Sequence, residues 1–597
     1  MSVLTRPESG PSAVPAGSSR LWKRTLDHYP ATGARYAQLA LVALVTVVLF
    51  WQVYVVGGVS TLLLSHVGMS FSFFVSALAI LFGLAAFGAI TAGLLDRAGR
   101  ANIVVAGLAT TTILSLCVIP FCTSKWTFTV ALAGVVFVEG TVLVATPALV
   151  RDFSPQLGRG SAMALWTIGP AFGSLLVTKV ANLTLPTYHT WQSQYVIAGI
   201  ASVVVLLVAV AFLRELSPNL RDQLMVELGD VELIEARAAA GAVAHDEGVA
   251  AYRHLLRRPR VLAIALGISL FLALYYTFVF LLPVVFGTVF GYSPSRANGL
   301  GSWYWASSVV FLILAGVLSD RVNLRKPFML AGAIGTVVVT IVLLGTFTTH
   351  TASYDYLRWL IIALAAFVAV AYVPWMASFT ETVEDIHPSL VAVGLSVWGW
   401  IIRIVVMVLL LIVPLVVPSM NTLVDKGPAV KAEAAVLIAG KQRLLAQGGA
   451  LKVQAATLQA KGAALKAEQQ KLAAAGVRPT PAQLAAGQAA ASKLTSEGAA
   501  LKQRAAALTA QGAQLKARAA AFLPRARDVQ AAAGRAPSEW QHWLWLCVVC
   551  QLLFIPFIPL MRGHWTRRAA RADVERHERE VARELARLHA AEGTSPA

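Results

Sequence analysis

The stretch AGLLDRAGRAN, Ala92 to Asn102, is a hydrophilic turn wedged between two long apolar runs. About 220 residues later GVLSDRVNLRK, Gly316 to Lys326, echoes it, again between apolar runs. Each copy sets an Asp-Arg pair and further basic residues directly after a small-residue helix end. Charge is expensive inside a bilayer, so such a turn marks where the chain leaves it. Two such turns at equivalent points predict a membrane body built from two similar halves.

Composition agrees. The 597 residues are 57% hydrophobic and 13% charged, whereas one soluble core stops growing at roughly 250–300 residues. Apolar runs of about 20 residues, bounded by charges or Gly/Pro, are the bilayer-spanning pattern. The net charge of +19 resembles a nucleic-acid footprint until it is located. Lys426 to Glu539 holds 17 Lys/Arg against 5 Asp/Glu, so 12 of the 19 charges sit in one segment. The rest borders the apolar runs, which excludes nucleic acid as a partner. The four cysteines, Cys117, Cys122, Cys547 and Cys550, fall inside apolar runs and read as packing. Residues 1–20 are polar and rich in Pro, Gly and Ser, without the pattern of a cleavable signal.

Spans are expected near 38–62, 70–95, 102–122, 127–150, 160–183 and 195–214, then 260–289, 298–319, 327–347, 357–380, 389–418 and 541–561. The domain reading follows: an N-terminal cytoplasmic segment 1–36, a first lobe 37–214, a polar linker 215–258, spans 7–11 over 259–423, an insert 424–540, span 12 at 541–561 and a charged tail 562–597. Arg and Lys crowd the ends that share a side with the termini, so both termini and the linker are predicted cytoplasmic in the plasma membrane. The insert then lies on the outer side.

The two turns resemble the loop 2–3 motif of the major facilitator superfamily, roughly G-x-L-x-D-R-x-G-R-[RK], and its repeat in loop 8–9. Leu94, Asp96, Arg97, Gly99 and Arg100 match in the first copy, with Ala92 at the leading Gly. Gly316, Leu318, Asp320, Arg321, Arg325 and Lys326 match in the second, with Asn323 at the expected Gly and one extra residue. The resemblance covers about 38–418 and 541–561. It implies an all-α polytopic fold of twelve helices in two six-helix lobes, working by alternating access. It also implies a cytoplasmic gate in which Asp96 pairs with Arg151 at the end of span 4, beside Arg97, Gly99, Arg100 and Asp152. In the second half Glu381, Glu384 and Asp385 are read as a similar latch with Arg321 or Arg325, beside Asp320. Span 5 carries IGPAFGS, where Gly169, Pro170 and Gly173 resemble the core of the G-P-x-x-G-G stretch of drug:proton antiporters, with Ser174 in place of the last Gly. Within the superfamily, RDFSPQLGRGSAMALWTIGP followed by LRELSPNLRDQLMV resembles a branch of actinobacterial permeases and brings no substrate with it.

The insert has leucines at 437, 444, 451, 458, 465 and 472, a strict seven-residue step. After GVRPTP they resume at 494, 501, 508 and 515, with Phe522 next. Alanine fills most other positions. A heptad with a Pro-bearing interruption predicts an Ala-rich antiparallel helical hairpin, coiled-coil-like, with arms of roughly 60–70 Å at 1.5 Å per residue. Its glycines, among them Gly448, Gly462, Gly498 and Gly512, are expected to weaken the helices by about 1 kcal/mol each.

Charges within spans are the strongest pointers to function. Glu139, in VVFVEGTVLV, falls near the middle of span 4; Arg403, in WGWIIRIVV, near the middle of span 11. Apolar surroundings favour the protonated form of a carboxyl, which can then load and release a proton as access alternates. A buried Arg stays charged and can grip a carboxylate or phosphate bidentately, or the two residues can neutralise each other. Glu139 is therefore the candidate proton site and Arg403 the candidate anion ligand. Gln52, Tyr54, Tyr275, Tyr276, Trp398 and Trp400 lie at similar depth as candidate substrate contacts. No metal spacing, phosphate loop or nucleophile–base set occurs, so no cofactor and no enzyme activity are expected. The expected function is proton-coupled secondary transport of a small, anionic organic solute. A proton-driven exporter of amphiphiles is the alternative, and a membrane scaffold whose outer hairpin binds an envelope partner is the alternative from another class.

Overall fold

The computed structural model describes residues 24–95, 99–153, 159–217, 249–322, 324–349, 352–384, 386, 390–476, 478–572, 575–576 and 579. Among them, twelve helices are long and apolar enough to cross a membrane. Spans 1 to 6 are Thr32–Gly58, Phe71–Gly88, Arg100–Phe121, Lys125–Val150, Trp166–Tyr188 and Trp191–Phe212. Spans 7 to 11 are Pro259–Phe290, Pro294–Val322, Lys326–Phe347, Tyr354–Val383 and Val393–Val416. Span 12 is the last part of a helix running from Pro481 to Phe554, closed by a 3-10 turn at Ile555–Leu560. The fold is all-α and polytopic, two six-helix lobes with a helical hairpin inserted before the last span.

Small residues set how closely the helices approach. A Cβ on Gly169 would lie 2.6 Å from Thr46, and one on Gly173 would lie 2.8 Å from Phe50 and 2.9 Å from the Val47 carbonyl. The IGPAFGS stretch thus seats span 5 against span 1, the close-packing role small residues take where lipid supplies no hydrophobic drive. Across the lobe boundary span 2 lies along span 11, span 5 along span 8 and span 1 along span 7.

A parallel pair of two-residue strands, β1 (Thr25–Leu26) and β2 (Glu215–Leu216), ties the N-terminal segment to the end of span 6. Buried Arg24 donates from Nη1 to the carbonyls of Ala209, Val210 and Leu213, closing the unpaired end of that helix. Burial, then the neighbouring Arg214, lowers the Arg24 pKa from its ordinary value, while Glu215 acts the other way.

Residues Ser419–Arg535 form a compact unit of their own. Its helices are Ser419–Ala474 and the first part of Pro481–Phe554. Gly476, at φ 62°, makes the reversal. Thr480 then opens the second arm with a capping box: its Oγ1 accepts from the Gln483 amide at 3.3 Å, and Gln483 Oε1 accepts from the Thr480 amide at 3.0 Å. Every heptad leucine is half-buried between exposed neighbours. Glycines lie opposite three of them. A Cβ on Gly440 would lie 3.0 Å from Leu515, one on Gly448 3.7 Å from Leu508 and one on Gly498 3.6 Å from Leu458.

Gly440 is a tight seat for Leu515, whereas Gly448 and Gly498 meet their leucines at ordinary contact distance, where an alanine would also fit. Gly440→Leu is expected to overpack against Leu515 and cost the hairpin about 1–3 kcal/mol. Gly512, with nothing within 4 Å of its Cβ position, should instead gain up to about 1 kcal/mol as Ala. Thermal melts followed by helical circular dichroism compare the two.

Candidate functional site

Span 4 carries Glu139 beside Gly140, whose Cβ would lie 2.4 Å from the Ala85 carbonyl. Only glycine permits that approach of span 4 to span 2, and it fixes the carboxylate at mid-span. Span 11 carries Arg403, whose Nη1 donates to the Gly399 carbonyl one turn earlier at 3.1 Å. Its Nη2 donates to both Glu139 oxygens, at 3.3 and 3.4 Å. The side chains are 7% and 6% exposed. One ion pair thus bridges the two lobes in the membrane interior.

The pair lies on the wall of a cavity of about 100 Å³. Tyr54, Tyr275, Tyr276 and Trp398 line it, as does Pro170 of the span 5 motif. Span 7 is interrupted there: its helix stops at Phe271 and restarts at Ala273 around Leu272, which itself faces the cavity. Broken spans at a lobe interface are where transporter folds bind their solutes. Tyr275 and Tyr276 follow within one turn of the break. Phe82, Trp166 and Tyr372 complete much of the aromatic wall, and nothing in the apolar runs that carry them distinguishes them from packing residues.

Two sequence candidates lie elsewhere. Gln52 is fully buried inside the first lobe, where it donates to Thr112 Oγ1 and accepts from Ser115 Oγ, each at 3.4 Å. A mid-span amide must find partners within protein, and span 3 supplies them. Trp400 is 39% exposed on the outside of its helix, one residue out of phase with the cavity-facing Gly399 and about 100° from it around the turn.

At the ends that carry the Asp-Arg turns, the lobes repeat one arrangement. Arg100, opening span 3, pairs with Asp152 after span 4 at 3.1 Å. Arg325, before span 9, pairs with Glu381 in the last turn of span 10 at 3.3 Å and also with Asp320 and Ser319. Arg321 is exposed. Gly99 adopts φ 90°, and the Arg100 amide that follows donates to Glu215 at 2.7 Å. Glu215 thereby caps the first turn of span 3, a role hidden in the sequence because the residue sits at the start of the polar linker. Asp96, Arg97, Asp385 and the side chains of Arg151 and Glu384 lie outside the described residues.

Elsewhere the two lobes meet in a close seam between spans 1 and 5 and spans 7 and 8. A Cβ on Gly57 would fall 1.8 Å from the Val279 carbonyl of span 7. Asn298 Nδ2 donates to the Gly58 carbonyl at 2.8 Å. Asn182 and Ser295 exchange bonds: Asn182 Nδ2 donates to the Ser295 carbonyl at 2.9 Å, and Ser295 Oγ donates to the Asn182 carbonyl at 2.8 Å.

A sequence model described as Major Facilitator Superfamily matches residues 42–408. No curated protein matches the chain. Among solved structures it is similar to a D-xylose–proton symporter, at 18% identity over 63% of this chain and 90% of that one, with a TM-score of 0.48. It is also similar to a bacterial homologue of the human lysosomal transporter Spinster, at 15% identity over 89% and 98%, with a TM-score of 0.49. The family match spans well over half of the chain and takes in both Asp-Arg turns, the broken span and both members of the ion pair. The chain is a multi-pass membrane protein of the major facilitator superfamily, a secondary transporter rather than an enzyme.

Proposed function

We propose that the protein couples a proton to the movement of a small organic anion through the Glu139–Arg403 pair. The observation that carries this reading is the buried ion pair joining spans 4 and 11 across the lobes on the cavity wall. Arg403 is always charged and presents five donors in a planar fork. In the empty carrier Glu139 neutralises it. When Glu139 takes a proton the bridge is lost, and Arg403 stands uncompensated unless an anion replaces the carboxylate. A lone buried charge is strongly unfavourable, so the carrier holding a proton without an anion is sparsely populated. Proton and anion therefore travel together, and releasing them restores the pair.

For a monoanion the cycle is electroneutral, so a pH gradient drives it and the membrane potential does not. Each pH unit is worth about 1.4 kcal/mol, about tenfold in accumulation. The wild-type protein in proteoliposomes should accumulate its anion by about that factor per unit. Glu139→Gln should abolish accumulation while keeping exchange down a concentration gradient. Accumulation by the Gln variant equal to that of the wild type would remove Glu139 from the coupling. We further place the protein in the cytoplasmic membrane with both termini inside and the 419–535 hairpin outside, a topology supported by the Arg/Lys distribution.

A further inference from the structure

We propose that the transported solute is a monocarboxylate borne on a single aromatic ring, an inference that rests on the anion reading above and narrows it. The cavity is poor in charge and in aliphatic hydroxyls. Among the described residues lining it, Glu139 and Arg403 are the charged groups and Thr167 and Ser308 the aliphatic hydroxyls. Ser308 already donates to the Tyr304 carbonyl of its own helix at 2.9 Å, and no Asn, Gln, Asp or His belongs to the lining. The phenols of Tyr54, Tyr275, Tyr276 and Tyr372 could meet the hydroxyls of a sugar, but a neutral sugar brings no charge to replace Glu139 on Arg403. A dicarboxylate would carry a second charge with no second cation to meet it.

Tyr54, Phe82 and Trp166 come from the first lobe, and Tyr275, Tyr276, Tyr372 and Trp398 from the second. Tyr276 meets Phe82 edge-on across the boundary at 6.1 Å, and Trp398 lies 6.4 Å from Tyr372. A flat ring entering between such groups finds both faces and edges, the geometry in which aromatic pairs attract beyond simple burial.

Trp398 lines the cavity and is 7% exposed, and its Nε1–H has no hydrogen-bond partner among the described residues. An indole N–H can only donate, so it suits a solute group that only accepts. A carboxylate held by Arg403, or an acceptor on the ring, meets that need. A cavity of roughly 150 Å³ accepts benzene; the present one, about 100 Å³ with Arg403 held against Glu139, is smaller still, which favours a solute of one ring over one of two.

The test measures affinity from the rise in unfolding temperature of the purified full-length protein with benzoate, cyclohexanecarboxylate, benzamide, succinate and D-xylose. Benzoate should bind about tenfold tighter than cyclohexanecarboxylate, its saturated counterpart. Benzamide, the neutral counterpart, succinate and xylose should not bind. Trp398→Phe should weaken benzoate by about tenfold. The double variant Glu139→Gln/Arg403→Met, which keeps the interior neutral, should abolish benzoate binding. Equal binding of benzoate and cyclohexanecarboxylate, or binding of succinate, lost in the double variant, would overturn the aromatic inference and leave the anion reading standing. Binding of benzamide or xylose, unaffected in the double variant and without any carboxylate, would overturn both. Silence of every probe with a protein that unfolds cooperatively would overturn the inference.

Discussion

Arg403→Met is expected to destabilise the protein by about 3–5 kcal/mol, the cost of leaving one member of a buried ion pair uncompensated. Glu139 and Arg403 are each more than nine-tenths buried, and the carboxylate accepts two bonds from Arg403 Nη2. Losing the guanidinium removes both. The double variant Glu139→Gln/Arg403→Met removes both charges, and neutral replacement of such pairs is often tolerated. It should recover most of the loss. A double-mutant cycle built on unfolding in detergent isolates the coupling. Additive losses in the two single variants would show that the residues do not depend on each other, and the transport cycle proposed here would lose its switch.

Gly57→Val is expected to drive the protein out of the conformation described here. The added Cβ would overlap the Val279 carbonyl at 1.8 Å, and a backbone atom cannot swing aside as a side-chain tip can. Spans 1 and 7 must separate at that end. Overpacking of this kind costs about 1–3 kcal/mol, borne only by the conformer in which the seam is closed. The balance between conformers should move by about 5–150-fold. Spin labels at the exposed positions His66 and Arg296 flank the seam, and their separation should lengthen in Gly57→Val. Gly345→Ala, with nothing within 4 Å of its Cβ position, is the control and should leave the distance unchanged. An unaltered distance in Gly57→Val would mean that the seam does not open as a unit.

The sequence makes the spans legible because each is a local property, apolar length between charges. Glu139 and Arg403 are legible for the same reason: a charge in an apolar run stands out alone. That they meet is a long-range fact, 264 residues apart in the chain, and no periodicity encodes it. Gln52 shows the opposite case. A polar residue at mid-span reads as solute-facing, yet Thr112 and Ser115 satisfy it within the lobe. Phe82, Trp166 and Tyr372 remain hidden because an aromatic in a span looks the same whether it packs or lines a cavity. In the hairpin the leucine step was plain, but the register that sets Gly440, Gly448 and Gly498 against leucines appears only when the arms are folded together.

The most direct test of the central claim is proton uptake on anion binding. Purified protein in weakly buffered detergent solution would be titrated with a panel of carboxylates that includes benzoate and succinate while the pH of the medium is followed. Linkage requires about one proton to be taken up per anion bound, since Arg403 changes partner and Glu139 must lose its charge. Glu139→Gln should bind without changing the pH. Anion binding by the wild-type protein with no proton uptake would contradict the account, because the ion pair would then not be the coupling device.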